Sequence, residues 1–128
     1  MNLVFHSTET FEQELQQFDA AVQKCIVQRI NEVAQAFLMD RQLFSQQARK
    51  PYNIPMYNGF DSSLYSIVVK PDLRVILTVD EDPLFDQAIV TLLRVVKRPD
   101  LYTTYTAVAQ ALYRNLNGSA TKQEVPVG

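Results

Sequence analysis

The chain has 128 residues, of which 47% are hydrophobic and 20% charged, and its formal net charge is -2. This length and composition suit one folded domain with a single core and exclude a disordered chain. The slight acidity excludes a general attraction of the whole molecule to nucleic acid or anionic lipid. The single cysteine, Cys25, excludes an internal disulfide.

The start of the chain and the lengths of its apolar runs indicate where in the cell the protein is expected. The opening MNLVFH lacks a basic segment followed by a long apolar run, so we expect no secretory signal. No apolar run is long enough to span a bilayer, since AIVTLL stops at Arg94. We therefore expect a soluble, cytoplasmic protein that makes no contact with a membrane.

The first part of the chain predicts a short strand over residues 2–6, followed by helix. Thr10 followed by Gln13 matches a capping box. Apolar residues then recur at helical spacing, and they form one stripe that must be buried: Phe11, Leu15, Phe18, Val22, Ile26, Ile30, Val33 and Phe37. Asp19 is a candidate N-cap within this stretch, so a helical hairpin and one long helix both fit. The opposite face, rich in glutamine and glutamate, is expected to be solvated.

Residues 40–63 contain Pro51, Pro55 and Gly59 and predict a loop, begun by the tail of a helix to about residue 47. Strands over residues 64–69 and 74–79 flank KPDL, which suits a type I turn, and together they predict a hairpin. The next strand, residues 87–97, is apolar on both faces. We therefore expect it to be central and covered on both sides.

A last helix is predicted over residues 100–116, capped by Asp100. Its stripe would be formed by Tyr102, Tyr105, Ala109, Leu112 and Leu116. Residues 117–128 predict a disordered polar tail, which leaves one domain over residues 1–116. The fold class is α+β, with an N-terminal strand, a helical hairpin, an antiparallel β-meander and a C-terminal helix.

This order of elements, with YSIVVKPDLRVIL and VVKRPDLY leading into a helix, resembles the RelE/ParE superfamily of bacterial toxins. The family has a basic residue shortly before a tyrosine at the end of the last strand, and an arginine opening the preceding strand. Arg98 and Tyr102 match the first feature, and Arg74 matches the second. The resemblance implies an antitoxin partner and a cytoplasmic location, without a metal or cofactor. It implies either mRNA cleavage at the ribosome or non-nucleolytic poisoning of DNA gyrase.

Cleavage of RNA without a metal would assign roles to these residues. Arg74 and Arg98 would bind the phosphate, because a guanidinium meets phosphate oxygens bidentately and stays charged. Tyr102 would act on a base or the leaving group. Arg94 and Lys97 would support RNA binding, as would Arg49 and Lys50 in the basic run RKPYN. Arg94 and Arg98 would share a face if the strand continued that far.

Each of these residues also has a structural interpretation. Arg74 is equally well a cation at a strand edge, and Arg98 is equally well the partner of Asp100. Tyr102 is more often a helix packing residue. Arg94, set in an apolar strand, must face a solvated groove or pair with an acid. His6, the only histidine, and Cys25 are expected to be a strand-end residue and a core thiol.

The distribution of charge separates the functional alternatives. The first 40 residues hold 6 acids against 2 bases, whereas 8 of the 12 bases fall between Arg41 and Arg98. Ser66 and Val68 occupy positions where relatives often place Arg or Lys. Three hypotheses follow, namely a toxin-family ribonuclease, a non-nucleolytic toxin acting by protein contact, and an inactive member that serves as an interaction module or homodimer.

Overall fold

The computed structural model describes residues 1–51 and 62–113. Its strands are β1 (Asn2–Ser7), β2 (Ala48–Arg49), β3 (Leu64–Lys70), β4 (Leu73–Asp82) and β5 (Gln87–Lys97). Its helices are α1 (Glu9–Gln16), α2 (Ala20–Met39), α3 (Arg41–Gln47) and α4 (Leu101–Tyr113), with a 3₁₀ turn at Arg98–Asp100 before α4. The predicted α+β architecture is thereby confirmed. The proposed end of the last helix and the tail beyond it lie outside the described residues.

The stretch before the meander contains a helical hairpin, not one long helix. Asp19 ends the break between α1 and α2, and its Oδ1 accepts a hydrogen bond from the Val22 amide at 2.9 Å. The cap of α1 is Thr8, whose Oγ1 accepts from the Phe11 amide at 3.1 Å. The predicted capping box was therefore wrong, because Thr10 lies inside the first turn.

The segment that follows α2 is more ordered than the predicted loop. Asp40 caps a separate helix, α3, by accepting hydrogen bonds from the amides of Gln42 at 3.1 Å and Leu43 at 3.2 Å. The short strand β2 then pairs with β3, with Arg49 opposite Ser66. The rest of the predicted loop, residues 52–61, falls outside the described residues.

The sheet has the order β1-β5-β4-β3-β2, with β1 parallel to β5 and the other neighbours antiparallel. The middle strand is β4, and β5 lies inside the sheet between β1 and β4, as expected for a central strand over residues 87–97. Both strands are apolar and contribute to both cores: in β5, Val95 lies in the core under α1–α3 and Val96 in the core under α4. Val75 and Leu77 face the helices α1–α3, whereas Ile76 faces α4.

Helix α4 packs through only part of the predicted stripe: Tyr105 and Ala109 are buried as predicted, and Tyr113 joins them. Tyr105, Ala109 and Tyr113 are buried against Leu64, Ile76 and Val96 of the sheet. Tyr102 and Leu112, which were expected in the stripe, are 58% and 44% exposed. The buried residues follow an i, i+4, i+8 spacing, so the helix is rotated about its axis relative to the predicted face.

We expect Tyr105→Phe to lower the free energy of unfolding by about 1–2 kcal/mol. Tyr105 is fully buried, and its hydroxyl donates a hydrogen bond to the carbonyl oxygen of Leu64 at 2.7 Å. Its loss would leave a buried carbonyl short of a donor. Urea unfolding checks this, with Tyr113→Phe as the control, because Tyr113 is also buried and its hydroxyl makes no hydrogen bond to any residue described.

The same residue predicts a loss of stability in alkali. Burial raises the pKa of the Tyr105 phenol, with smaller contributions from the neighbouring tyrosines. An unfolded tyrosine ionises near about pH 10, so the stability that Tyr105 contributes is complete below that pH and falls as the pH rises above it. We expect unfolding between pH 9 and 12 to show a shallower decline in Tyr105→Phe than in wild type, and equal declines would contradict this.

Candidate functional site

The outer edge of β5 is completed by side chains of α1. Strand β1 pairs with β5 only as far as Ser7 and Leu92, so the last five residues of β5 extend past it. Thr8 continues the pairing, since its amide donates to the Leu92 carbonyl at 3.0 Å and its hydroxyl to the Leu93 carbonyl at 3.0 Å. Glu14 then accepts a hydrogen bond from the Val95 amide through Oε1 at 2.9 Å. The edge is thus held without a further strand.

Glu14 also binds Arg94, the arginine within the apolar strand. Its Oε2 accepts from Nε of Arg94 at 2.9 Å and from Nη2 at 2.7 Å. The side chains are 23% and 33% exposed, so the pair is partly desolvated. The hydrogen bond to Glu14 raises the pKa of Arg94 against the opposing effect of burial. Of the two sequence alternatives for Arg94, the structure therefore contains the ion pair.

The pairing of β5 with β4 shifts near its end. Leu77 lies opposite Leu92 and Ile76 opposite Arg94, which leaves Leu93 as an extra residue in a β-bulge. The strand ends at Lys97, and Arg98 belongs to the 3₁₀ turn. The condition for Arg94 and Arg98 to share a strand face is therefore not met.

Two segments distant in sequence meet at the far end of β5. The amide of Arg98 donates to the Asp72 carbonyl at 2.8 Å, and Leu73 pairs with Lys97. The β3–β4 turn therefore lies beside the junction of β5 and α4. We call residues 70–74 and 97–102 together the basic corner. Its two segments contain the three residues predicted as catalytic, Arg74, Arg98 and Tyr102, and the predicted RNA-binding residue Lys97.

The cations of the basic corner differ in how firmly they are held. Nη1 of Arg74 donates to the carbonyl oxygens of Lys70 at 2.9 Å, Pro71 at 3.2 Å and Leu73 at 3.2 Å, so this side chain braces its own turn. Arg98 and Lys97 are exposed, and neither makes an ion pair within the described part of the chain. Their charges are available to a ligand.

The other predicted RNA-binding residues lie at the opposite edge of the sheet. Arg49 is in β2, where its Nε donates to the Gln46 carbonyl at 3.4 Å, and Nζ of Lys50 lies 5.2 Å from the centre of the Tyr65 ring. Arg49 and Arg94 end one row across β2, β3, β4 and β5. Three strand spacings put them about 14 Å apart. They do not form one cluster with the basic corner.

The two positions that lack a cation have different surroundings. Ser66 is buried, with 5% of its surface exposed, so a charge there would be costly. Val68 is 44% exposed and lies opposite Arg74. The corner therefore presents an apolar side chain at a place where a further cation could have reached solvent.

A groove of about 520 Å³ runs between α1 and the start of α4. Its apolar wall is formed by Phe18, Val95 and Val96, and Lys97 lies at its rim toward the basic corner. Gln17, Thr103 and Thr104 add polar groups, and the acidic residues are Glu14, which is bound to Arg94, and Asp100. The groove thus combines an apolar wall with one unpaired cation.

The histidine, the cysteine and the acidic residues determine whether a metal ion could be bound. His6 is an exposed residue of β1, as expected, whereas Cys25 is only half-buried on α2. Among the residues described, no three His, Cys, Asp or Glu side chains are grouped so as to hold a metal ion. No helix in the described ranges is long and apolar enough to cross a membrane.

Glu14 is the residue that the sequence did not identify, since it was assigned to a solvated face. We expect Glu14→Gln to lower the free energy of unfolding by about 1–3 kcal/mol, because a partly desolvated Arg94 would lose its counter-charge. Urea unfolding checks this against Glu32→Gln, which breaks a surface pair with Arg29 at 3.2 Å and should cost less than about 0.5 kcal/mol. Equal losses in both variants would contradict the special position of Glu14.

No protein-family model and no curated protein matches the chain. Several solved structures are similar to the chain. A chain of the toxin–antitoxin complex RelBE2 from Mycobacterium tuberculosis is 14% identical, with 77% of this chain and 100% of that chain covered and a TM-score of 0.49. The YoeB/ParE toxin from Agrobacterium tumefaciens is 16% identical, with coverages of 77% and 99% and a TM-score of 0.46. The conserved hypothetical protein HP0894 from Helicobacter pylori is 20% identical, with coverages of 77% and 98% and a TM-score of 0.39. These likenesses concern the backbone alone.

Proposed function

We propose that the chain is a toxin of the RelE/ParE type, which acts through the basic corner and is kept silent by an antitoxin protein. The observation that carries this proposal is the meeting of the β3–β4 turn with the β5–α4 junction. It puts two segments side by side at one end of the sheet, and these segments carry Arg74, Arg98 and Tyr102, on which the sequence resemblance rests, together with Lys97. These side chains come from segments more than 20 residues apart in the sequence.

The corner has the chemistry of a phosphate contact. The exposed Arg98 offers a planar fork to two phosphate oxygens, and Lys97 adds a compact charge beside it. Arg74 uses Nη1 to brace the turn, and its Nε and Nη2 make no hydrogen bond to the residues described. Tyr102, at 58% exposure, presents an aromatic ring to solvent on which a base can stack.

The first candidate activity is metal-independent cleavage of mRNA at the ribosome. The 2′-hydroxyl of a ribose would pass its proton to solvent water and attack the adjacent phosphorus, giving a 2′,3′-cyclic phosphate, while the bond to the 5′-oxygen of the next nucleotide breaks and that oxygen takes up a proton. Arg98 and Arg74 would stabilise the charge of the pentavalent phosphate, and Tyr102 would orient the base or protonate the leaving oxygen. With a net charge of -2, the chain needs the ribosome to supply part of the binding.

The second candidate is inhibition by protein contact without cleavage, as in the ParE branch. Three observations support it. Arg94 is neutralised by Glu14, Nη1 of Arg74 is committed to three carbonyl oxygens, and Ser66 is buried where relatives carry a cation. In this candidate the same corner contacts a protein target, and Arg98 pairs with a carboxylate of that target.

We expect induced expression of the wild-type chain without its antitoxin to stop bacterial growth, and Arg98→Ala to restore growth at the same protein level. The reason is that Arg98 supplies the exposed guanidinium of the corner. Lys24→Ala is the matched control, because it removes an exposed cation from α2 and should leave the arrest intact. Harmless expression of wild type, or an arrest that Arg98→Ala does not relieve, would contradict the proposal.

The two candidates differ in the state of mRNA in the arrested cells. Cleavage predicts new 5′-hydroxyl ends within ribosome-bound messages, which sequencing of RNA ends detects, and Tyr102→Ala should reduce them. Growth arrest with intact mRNA would rule out the nuclease and leave the protein-contact toxin.

A further inference from the structure

The β4–β5 turn presents two large apolar side chains to solvent. Leu84 is 82% exposed and Phe85 is 68% exposed, and we call these two residues the apolar tip. Asp82 fixes the turn, since its Oδ1 accepts from the Leu84 amide at 3.1 Å and the Phe85 amide at 3.4 Å. A contact made by a turn already held in place loses little conformational entropy. The tip is therefore preorganised for docking.

The charge around the apolar tip restricts what can receive it. Residues 80–86 contain four carboxylates, Asp80, Glu81, Asp82 and Asp86, and no base. Within the described ranges, two of the four have ion-pair partners: Glu81 lies 3.2 Å from Arg41, and Asp86 lies 3.5 Å from the terminal amine. A surface that binds Leu84 and Phe85 must therefore be apolar inside and cationic at its border.

The groove at the other end of the same chain has this character. Phe18, Val95 and Val96 supply the apolar wall, and its volume of about 520 Å³ accommodates an aromatic side chain. The groove and the adjoining basic corner together hold five cations against three carboxylates. The cations are Lys70, Arg74, Arg94, Lys97 and Arg98, and the carboxylates are Glu14, Asp72 and Asp100.

We propose that the apolar tip of one copy of the chain docks in the groove of a second copy. Leu84 and Phe85 then lie against Val95 and Phe18, and the carboxylates beside the tip face Lys97. The tip adjoins the start of β5 and the groove adjoins its end, so the two surfaces lie about 33 Å apart along one strand. A two-fold axis across the middle of β5 brings each tip to the other groove, which closes the assembly as a dimer.

The edge of β1, which lies between the two proposed contacts, does not oppose the approach of a second copy. Strand β1 is the outermost strand on that side of the sheet, and Asn2–Ser7 contains no Asp, Glu, Lys or Arg. Charged residues commonly keep exposed edges apart in monomeric proteins. Phe5 of this strand is 41% exposed and pairs with Val90, so it adds apolar surface between the tip and the groove.

Sedimentation velocity over a range of protein concentrations tests the proposal. We expect wild type to dimerise at about the micromolar level, as contacts of small area do. Leu84→Ser with Phe85→Ser, and separately Thr103→Trp, which fills the groove, should each weaken the association at least tenfold. Met39→Ser is the control, because Met39 is equally exposed, at 82%, but lies on neither surface.

Mixing the tip variant with the groove variant gives a second measurement, in which association is regained and not only lost. The tip variant keeps an intact groove, and Thr103→Trp keeps an intact tip. Each should be monomeric by itself, whereas the mixture should form a heterodimer through one restored contact. Circular dichroism confirms that both variants are folded.

Three results would overturn the proposal. The first is a wild-type chain that remains a monomer up to about 1 mM. The second is a dimer that persists unchanged in both the tip and groove variants. The third is a mixture of the two variants that associates no better than either one alone.

Discussion

The carboxylate of Glu14 holds the last residues of β5, and the position of the basic corner depends on it. Strand β5 extends past β1, so its outer backbone groups would otherwise lack partners at that edge. Thr8 satisfies the Leu93 carbonyl, and Glu14 satisfies both the Val95 amide and Arg94. Lys97 and Arg98 follow these residues directly in the chain. Helix α1, which carries Glu14, therefore fixes where the charges of Lys97 and Arg98 reach solvent.

Local patterns predicted the elements whose signals lie within a few residues. Asp19 marked the break in the hairpin, and KPDL marked the turn between β3 and β4, because caps and turns are set by near neighbours. The choice of Thr8 over Thr10 as the cap was not predictable in this way. Both hydroxyls fit the local rule, and the decision depends on a hydrogen bond to Leu93, 85 residues away.

Long-range pairing explains the remaining differences. Strands β4 and β5 are both apolar, and the parallel pairing of β1 with β5 puts β5 inside the sheet and β4 in its middle. An arginine within β5 indicated that an acid or a groove must accompany it, but nothing near Arg94 in the sequence indicates Glu14. The sequence predicted that Arg74, Arg98 and Tyr102 belong to one site. It did not predict that Arg74 braces its own turn through hydrogen bonds to carbonyl oxygens.

The edge of β5 supports the basic corner, and amide hydrogen exchange is the most direct measurement of that support. In wild type we expect a protected Val95 amide, and in Glu14→Ala, which removes the side-chain acceptor, we expect faster exchange confined to residues 93–98, with Ile26 and Ile30 of α2 unchanged. Equal protection of residues 93–98 in both proteins would contradict the account. So would a uniform loss of protection across the whole chain, which would make Glu14 a general stabiliser and not the support of the corner.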